Sequence, residues 1–205
     1  LDDIVANNQH HVATDTGSSL PECSIDMEGI TVASSRAEID HLMTAVGHTF
    51  SQKPHDERVI GLDAEWNVEK SSQGIIRGSG KVALLILAFF EDDNKYRVLL
   101  LQLHKCHALP DRLKQFLISG ITAVGNYVGG DISKLGRDFN CVDDMSNVDR
   151  VNLGKFASAR GVVHDGTTTL DNIVRVYLNE KMVKPTDVRI STKWETQELT
   201  DAQIM

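Results

Sequence analysis

The run Val59-Ile60-Gly61-Leu62-Asp63-Ala64-Glu65-Trp66 constrains the fold of this chain more than any other. Its mostly apolar start reads as a buried strand, and two carboxylates follow at its end. Side chains of a strand repeat every two residues, so Asp63 and Glu65 share a face, roughly 7 Å apart along the chain. Two acids at the mouth of a buried strand repel each other and resist desolvation. Residue type alone leaves two readings open, an exposed strand end or a site for a divalent cation.

The remaining sequence fits one domain. At 205 residues with 41% hydrophobic content it has enough apolar side chain for a core. The longest apolar stretch, 82–90, has the length of a buried strand and is far short of the ~20 residues of a membrane span. The start Leu1-Asp2-Asp3 is acidic where a secretory signal is basic, and it lacks a methionine, as expected of a fragment. Three scattered cysteines, Cys23, Cys106 and Cys141, make no CxxC pair and no disulfide framework. They point to a reducing, intracellular setting, nuclear or cytoplasmic. The net charge of −8 argues against a grip on nucleic acid by phosphate neutralisation alone. It leaves room for local, metal-assisted contact or for a protein partner.

Residues 1–27 are polar without a period and read as a flexible lead-in. Ile30-Thr31-Val32 reads as a short edge strand. Ser35-Arg36-Ala37-Glu38 is a capping box, and Ile39, Leu42, Met43 and Val46 continue as the apolar stripe of a helix that Gly47 is expected to end. Strands are expected over 59–65, 81–90 and 96–101, the last two as a hairpin. A glycine-rich loop is expected over 67–81. Then come a helix over 109–119, a strand over 121–124, a loop over 125–130, and helices over 131–139, 153–159 and 170–178. Residues 180–196 read as irregular and basic. This order is α/β with a mixed sheet of about five strands, not a regular βαβ repeat.

A third acid, Asp131, stands where the 125–130 loop meets a helix. Ligand sites in α/β sheets lie just past strand ends, but an acid is favoured at a helix start with no ligand at all. Both readings stay open from the residues.

Three segments together resemble a known family. Leu62-Asp63-Ala64-Glu65-Trp66, Lys81-Val82-Ala83-Leu84-Leu85 and Gly125-Asn126-Tyr127-Val128-Gly129-Gly130-Asp131-Ile132-Ser133-Lys134-Leu135 are similar to the DEDD 3′–5′ exonucleases of the tyrosine-containing (DEDDy) type. The Werner-type and ribonuclease D-like branches are nearest. Thr168-Thr169-Leu170-Asp171-Asn172-Ile173-Val174, then Trp194 with Leu199-Thr200-Asp201-Ala202-Gln203, extend the resemblance over about residues 57–205. It implies an RNase H-like fold and hydrolysis at a 3′ end of DNA or RNA. Asp63, Glu65 and Asp131 would hold two Mg²⁺ or Mn²⁺ ions, with Asn126 and Trp66 as candidate substrate contacts. The family's fourth acid, and a tyrosine one helical turn before it, follow the Leu-Thr-x-x-Gln segment. The sequence ends at Met205 before either, so the exonuclease reading carries an alternative: a degenerate, weakly active or inactive fold acting as a nucleic-acid- or protein-binding module. Arg189-Ile190-Ser191-Thr192-Lys193-Trp194 is one residue longer than its family counterpart, which favours Trp194 as a core residue.

Other residues have simpler readings. His104, Cys106 and His107 match no zinc spacing and read as a loop. Lys181, Lys184, Arg189 and Lys193 form a local basic cluster, either solvated or touching phosphates. Asp138, Asp143, Asp144 and Asp149 read as surface acids. Trp66 has a core role as its alternative to base stacking.

Overall fold

Asp63 and Glu65 lie within a strand rather than at its end. The computed structural model describes residues 20–23, 27–73, 75–92, 95–182, 194–196 and 198–204. Its strands are β1 (Ile30–Ala33), β2 (Val59–Lys70), β3 (Ile76–Asp92), β4 (Lys95–Gln102), β5 (Thr122–Gly125) and β6 (Asp149–Asn152). Its helices are α1 (Arg36–Ser51), α2 (Asp111–Leu117), α3 (Val128–Asp138), α4 (Val142–Ser146), α5 (Leu153–Ala159), α6 (Leu170–Leu178) and a final turn α7 (Asp201–Ile204). The sheet order is β1-β4-β3-β2-β5-β6. β2, β3 and β4 form an antiparallel meander, and β1 on β4, β5 on β2 and β6 on β5 are parallel pairs.

The predicted 67–81 loop is instead the far end of the β2–β3 hairpin. Val68 pairs with Ser79 and Glu69 with Gly78. The ladder there needs only backbone, so polar side chains and glycines do not stop it. Two register shifts fall between Glu65 and Val68, and they give β3 more residues than β2 over that stretch. Such bulges bend a strand and re-aim its side chains.

The sheet separates two cores. On one face Ile60, Leu62 and Ala64 of β2 join Leu85, Leu87, Leu99 and Leu101, covered by Ile39, Met43 and Phe50 of α1, Leu113 and Phe116 of α2, and Ile132 and Leu135 of α3. On the other face Ala83, Leu84 and Leu100 meet Trp194, with Leu199 and Ile204 beside them. Trp194 is therefore a core residue, as expected.

The capping box of α1 forms as read: Glu38 N–H donates to Ser35 Oγ, and the Glu38 carboxylate accepts the Ser35 N–H. Gly47 does not end the helix. One further turn delivers Phe50 edge-on to Phe89 and Phe116, with centroids 5.2 and 5.1 Å away, and that burial outweighs the low helix propensity of glycine. α3 begins at Val128 rather than at Asp131, so Gly129 and Gly130 lie inside its first turn. Two elements, α4 and β6, were not expected. Of the 1–27 lead-in, residues 1–19 and 24–26 lie outside the described residues, while Glu22 bridges to Lys181. Lys184, Arg189 and Lys193 of the basic cluster, with the longer loop, also lie outside them. Among the described residues no helix is long and apolar enough to cross a membrane.

Candidate active site

The alternation that buries Leu62 and Ala64 in the main core turns Asp63 and Glu65 to the opposite face of β2, level with Ile86 and Leu84 of β3. β5 pairs with β2 only from Val59 to Gly61. The chain leaves the sheet at Gly125, whose Cα packs directly on the Leu62 carbonyl oxygen, with no room for a Cβ. That close approach brings the start of α3 to the level of Asp63. Tyr127, at φ 65°, makes the turn in a left-handed conformation uncommon for a residue with a side chain. Its hydroxyl donates to the Thr167 carbonyl oxygen at 2.8 Å.

Asp131 then falls in the first turn of α3, 8% exposed. Burial, and secondly the charge of Asp63, push its carboxyl up from 3.8 to about 7. A carboxyl raised mainly by burial, with a second acid in range, is the kind of perturbed group that gathers at functional sites. The structure thus brings Asp63 and Asp131 together. Glu65 shares the Asp63 face but lies one pleat further along β2, at a register shift. Asp63 and Glu65 each have further polar or electrostatic partners. Among the described residues no group of three His, Cys, Asp or Glu side chains is gathered closely enough to hold a metal ion.

The donor chemistry fits a hard divalent cation, because Mg²⁺ and Mn²⁺ prefer carboxylate oxygens. Asn126, at the mouth of the same turn, has its Oδ1 buried with no hydrogen-bond partner. An unsatisfied buried acceptor is costly, and a donor brought in by a ligand would satisfy it. Trp66 is not part of this group. It packs on the main-core face, with the Lys134 ammonium 5.0 Å from its ring centroid, so its place is structural.

His104 and Cys106 do not form a metal site. The His104 Nδ1 is buried without a partner, and burial foremost lowers its pKa. Burial likewise raises the Cys106 thiol, which keeps it protonated and inert. Asp138 is not a surface acid. Its Oδ2 accepts the Val82 N–H at 2.8 Å and pairs with Lys134 at 3.0 Å. Sequence reading missed both residues of that pair, although their i, i+4 spacing was visible.

The mixed six-stranded sheet flanked by helices matches the RNase H-like fold seen in exonuclease domains. No protein-family model and no curated protein matches the sequence. Solved structures do match. The Nibbler EXO domain of Aedes aegypti aligns at TM-score 0.62 and 14% identity, over 89% of this chain and 82% of that one. The catalytic core of RRP6 from Trypanosoma brucei aligns at 0.59 and 16%, over 91% of this chain and 44% of that one. Escherichia coli RNase D, described as an exoribonuclease involved in structured RNA processing, aligns at 0.55 and 16%, over 85% and 39%. The chain spans less than half of the last two. The fold implied by the sequence motifs, that of the DEDD 3′–5′ exonucleases, is the fold observed.

Proposed function

We propose that this domain hydrolyses phosphodiester bonds from the 3′ end of DNA or RNA, using two divalent cations, Mg²⁺ or Mn²⁺, held by Asp63, Asp131 and Glu65. One observation carries the reading: a buried carboxyl, Asp131, raised to about 7 beside a second acid, Asp63, in an exonuclease fold. When bound, such cations would activate a water and stabilise the leaving 3′-oxygen. Asp63 and Asp131 bind on the side of β2 away from the main core, and Gly125 and the α3 start fix their separation. Asn126 Oδ1 accepts from the substrate or from water ordered on it. The acidic surface keeps phosphate contact local to this site. Three free cysteines suit an intracellular setting, nuclear or cytoplasmic.

A second reading is a non-catalytic nucleic-acid- or protein-binding module on the same fold. It is favoured by the net charge of −8, which suits a protein partner better than a broad grip on phosphates. Single-stranded DNA and RNA oligonucleotides labelled at the 5′ end separate the two. With Mn²⁺, the enzyme shortens them one nucleotide at a time from the 3′ end, and Asp63→Ala stops the ladder. Retention of full-length oligonucleotide, unchanged by Asp63→Ala, identifies the binding module.

A further inference from the structure

The register shifts of β3 leave backbone groups that the β2 ladder does not take. Leu84 pairs with Glu65 but Val82 pairs with Trp66, so Ala83 is an extra residue; Gly80 and Lys81 together stand opposite Asn67. A bulge of this kind needs partners for its free N–H and C=O groups. The Ala83 carbonyl oxygen accepts from Leu103 N–H at 2.7 Å. The other two groups are taken by α3. The Lys134 ammonium donates to the Gly80 carbonyl oxygen at 2.7 Å, and Asp138 Oδ2 accepts the Val82 N–H at 2.8 Å. The two side chains pair with each other at 3.0 Å and are only 10% and 17% exposed. Lys134 also caps the Trp66 ring.

We infer that Lys134 and Asp138 are positioning residues that clamp α3 onto the β3 bulge and so hold Asp131 at Asp63. Asp131 and Lys134 are i, i+3 neighbours on the helix, so any rotation or lift of α3 at Lys134 moves the Asp131 carboxylate. The bulge lies opposite Glu65 and Trp66, so one clamp registers both acid-bearing elements. A buried charge pair tied to two backbone groups has one good geometry. This inference rests on the metal-site reading above.

The test measures Mn²⁺ affinity by calorimetry at 10 °C, and thermal unfolding in parallel, for wild type, Lys134→Met and Asp138→Asn. Val46→Ala, a core truncation in α1, is the control for lost stability. Lys134→Met and Asp138→Asn are expected to weaken Mn²⁺ binding at least tenfold, while Val46→Ala changes it less than twofold. Lys134→Met/Asp138→Leu removes both charges and recovers stability without recovering affinity. It serves as the folded variant if Lys134→Met does not fold. Affinity within twofold of wild type in the folded clamp variants overturns the clamp alone, as does an equal loss in Val46→Ala. A wild type that does not bind Mn²⁺ overturns the metal site, and the clamp falls with it.

Discussion

Asp131→Asn will stabilise the cation-free protein at pH 8, by on the order of 4 kcal/mol. The Asp131 carboxyl has a folded-state pKa of about 7 against an ordinary 3.8, so folding favours its protonated form. Below pH 3.8 the group is neutral in both states and costs nothing. Between 3.8 and 7 the unfolded chain ionises first, and stability is lost as pH rises. Above 7 the whole difference, about 1.4 kcal/mol for each pH unit separating the two values, is lost. A neutral amide has no such term. The gain should therefore shrink to about 1.7 kcal/mol at pH 5. For a domain of this size the pH 8 gain corresponds to ~8–16 °C in Tm. Thermal unfolding in EDTA at both pH values measures it. A gain that does not depend on pH, or a loss at pH 8, would show that the carboxylate is not strained. The stabilised variant is expected to lose Mn²⁺ binding, the pattern of a site that gives up stability for function.

Gly125→Ala will cost about 3 kcal/mol or more, the upper range for forcing atoms into a packed interior. Its new Cβ would collide with the Leu62 carbonyl oxygen and stand 3.2 Å from Val128 Cβ. The obstructing atom is backbone in a central strand and cannot rotate away. β5 must therefore separate from β2, disrupting the pairs Val59–Thr122, Ile60–Ala123 and Gly61–Val124 and carrying the start of α3 with it. Stability and cation binding fall together. Gly130→Ala, five residues on, meets nothing within 4 Å and is expected to be neutral or stabilising in its helix. Urea unfolding of both variants tests the contrast. A Gly125→Ala protein within 1 kcal/mol of wild type would mean that the β5–β2 approach is not tight.

The parts of this fold that show in the sequence are those where burial writes itself into side chains. The apolar runs of β2, β3 and β4 and the capping box of α1 follow directly from period and residue type. The hairpin beyond Trp66 does not show, because Val68 with Ser79 and Glu69 with Gly78 pair through the backbone ladder. β6 is equally hidden: Asp149 and Arg150 are exposed, and its four residues carry one apolar side chain. At the site, the acids are legible as types, and Asp131 is identifiable beside Asp63 once the turn through Gly125 is read as a close approach. The register shifts that follow Glu65 are not legible, because no residue pattern announces a bulge. Lys134 and Asp138 remained hidden for a related reason. Their partners are the Gly80 carbonyl oxygen and the Val82 N–H, more than fifty residues earlier in the chain, and backbone groups leave no compositional trace.

The central claim is that Asp63 and Asp131 bind a divalent cation. Calorimetric titration of Mn²⁺ at pH 6.5, in two buffers of different ionisation enthalpy, tests it most directly. At that pH a carboxyl with a pKa of about 7 is mostly protonated, so binding must expel its proton. The account predicts saturable binding with buffer-dependent heat in the wild type, and at least a tenfold loss of affinity in Asp63→Asn. Absence of binding, or equal affinity in wild type and Asp63→Asn with no proton released, would contradict it.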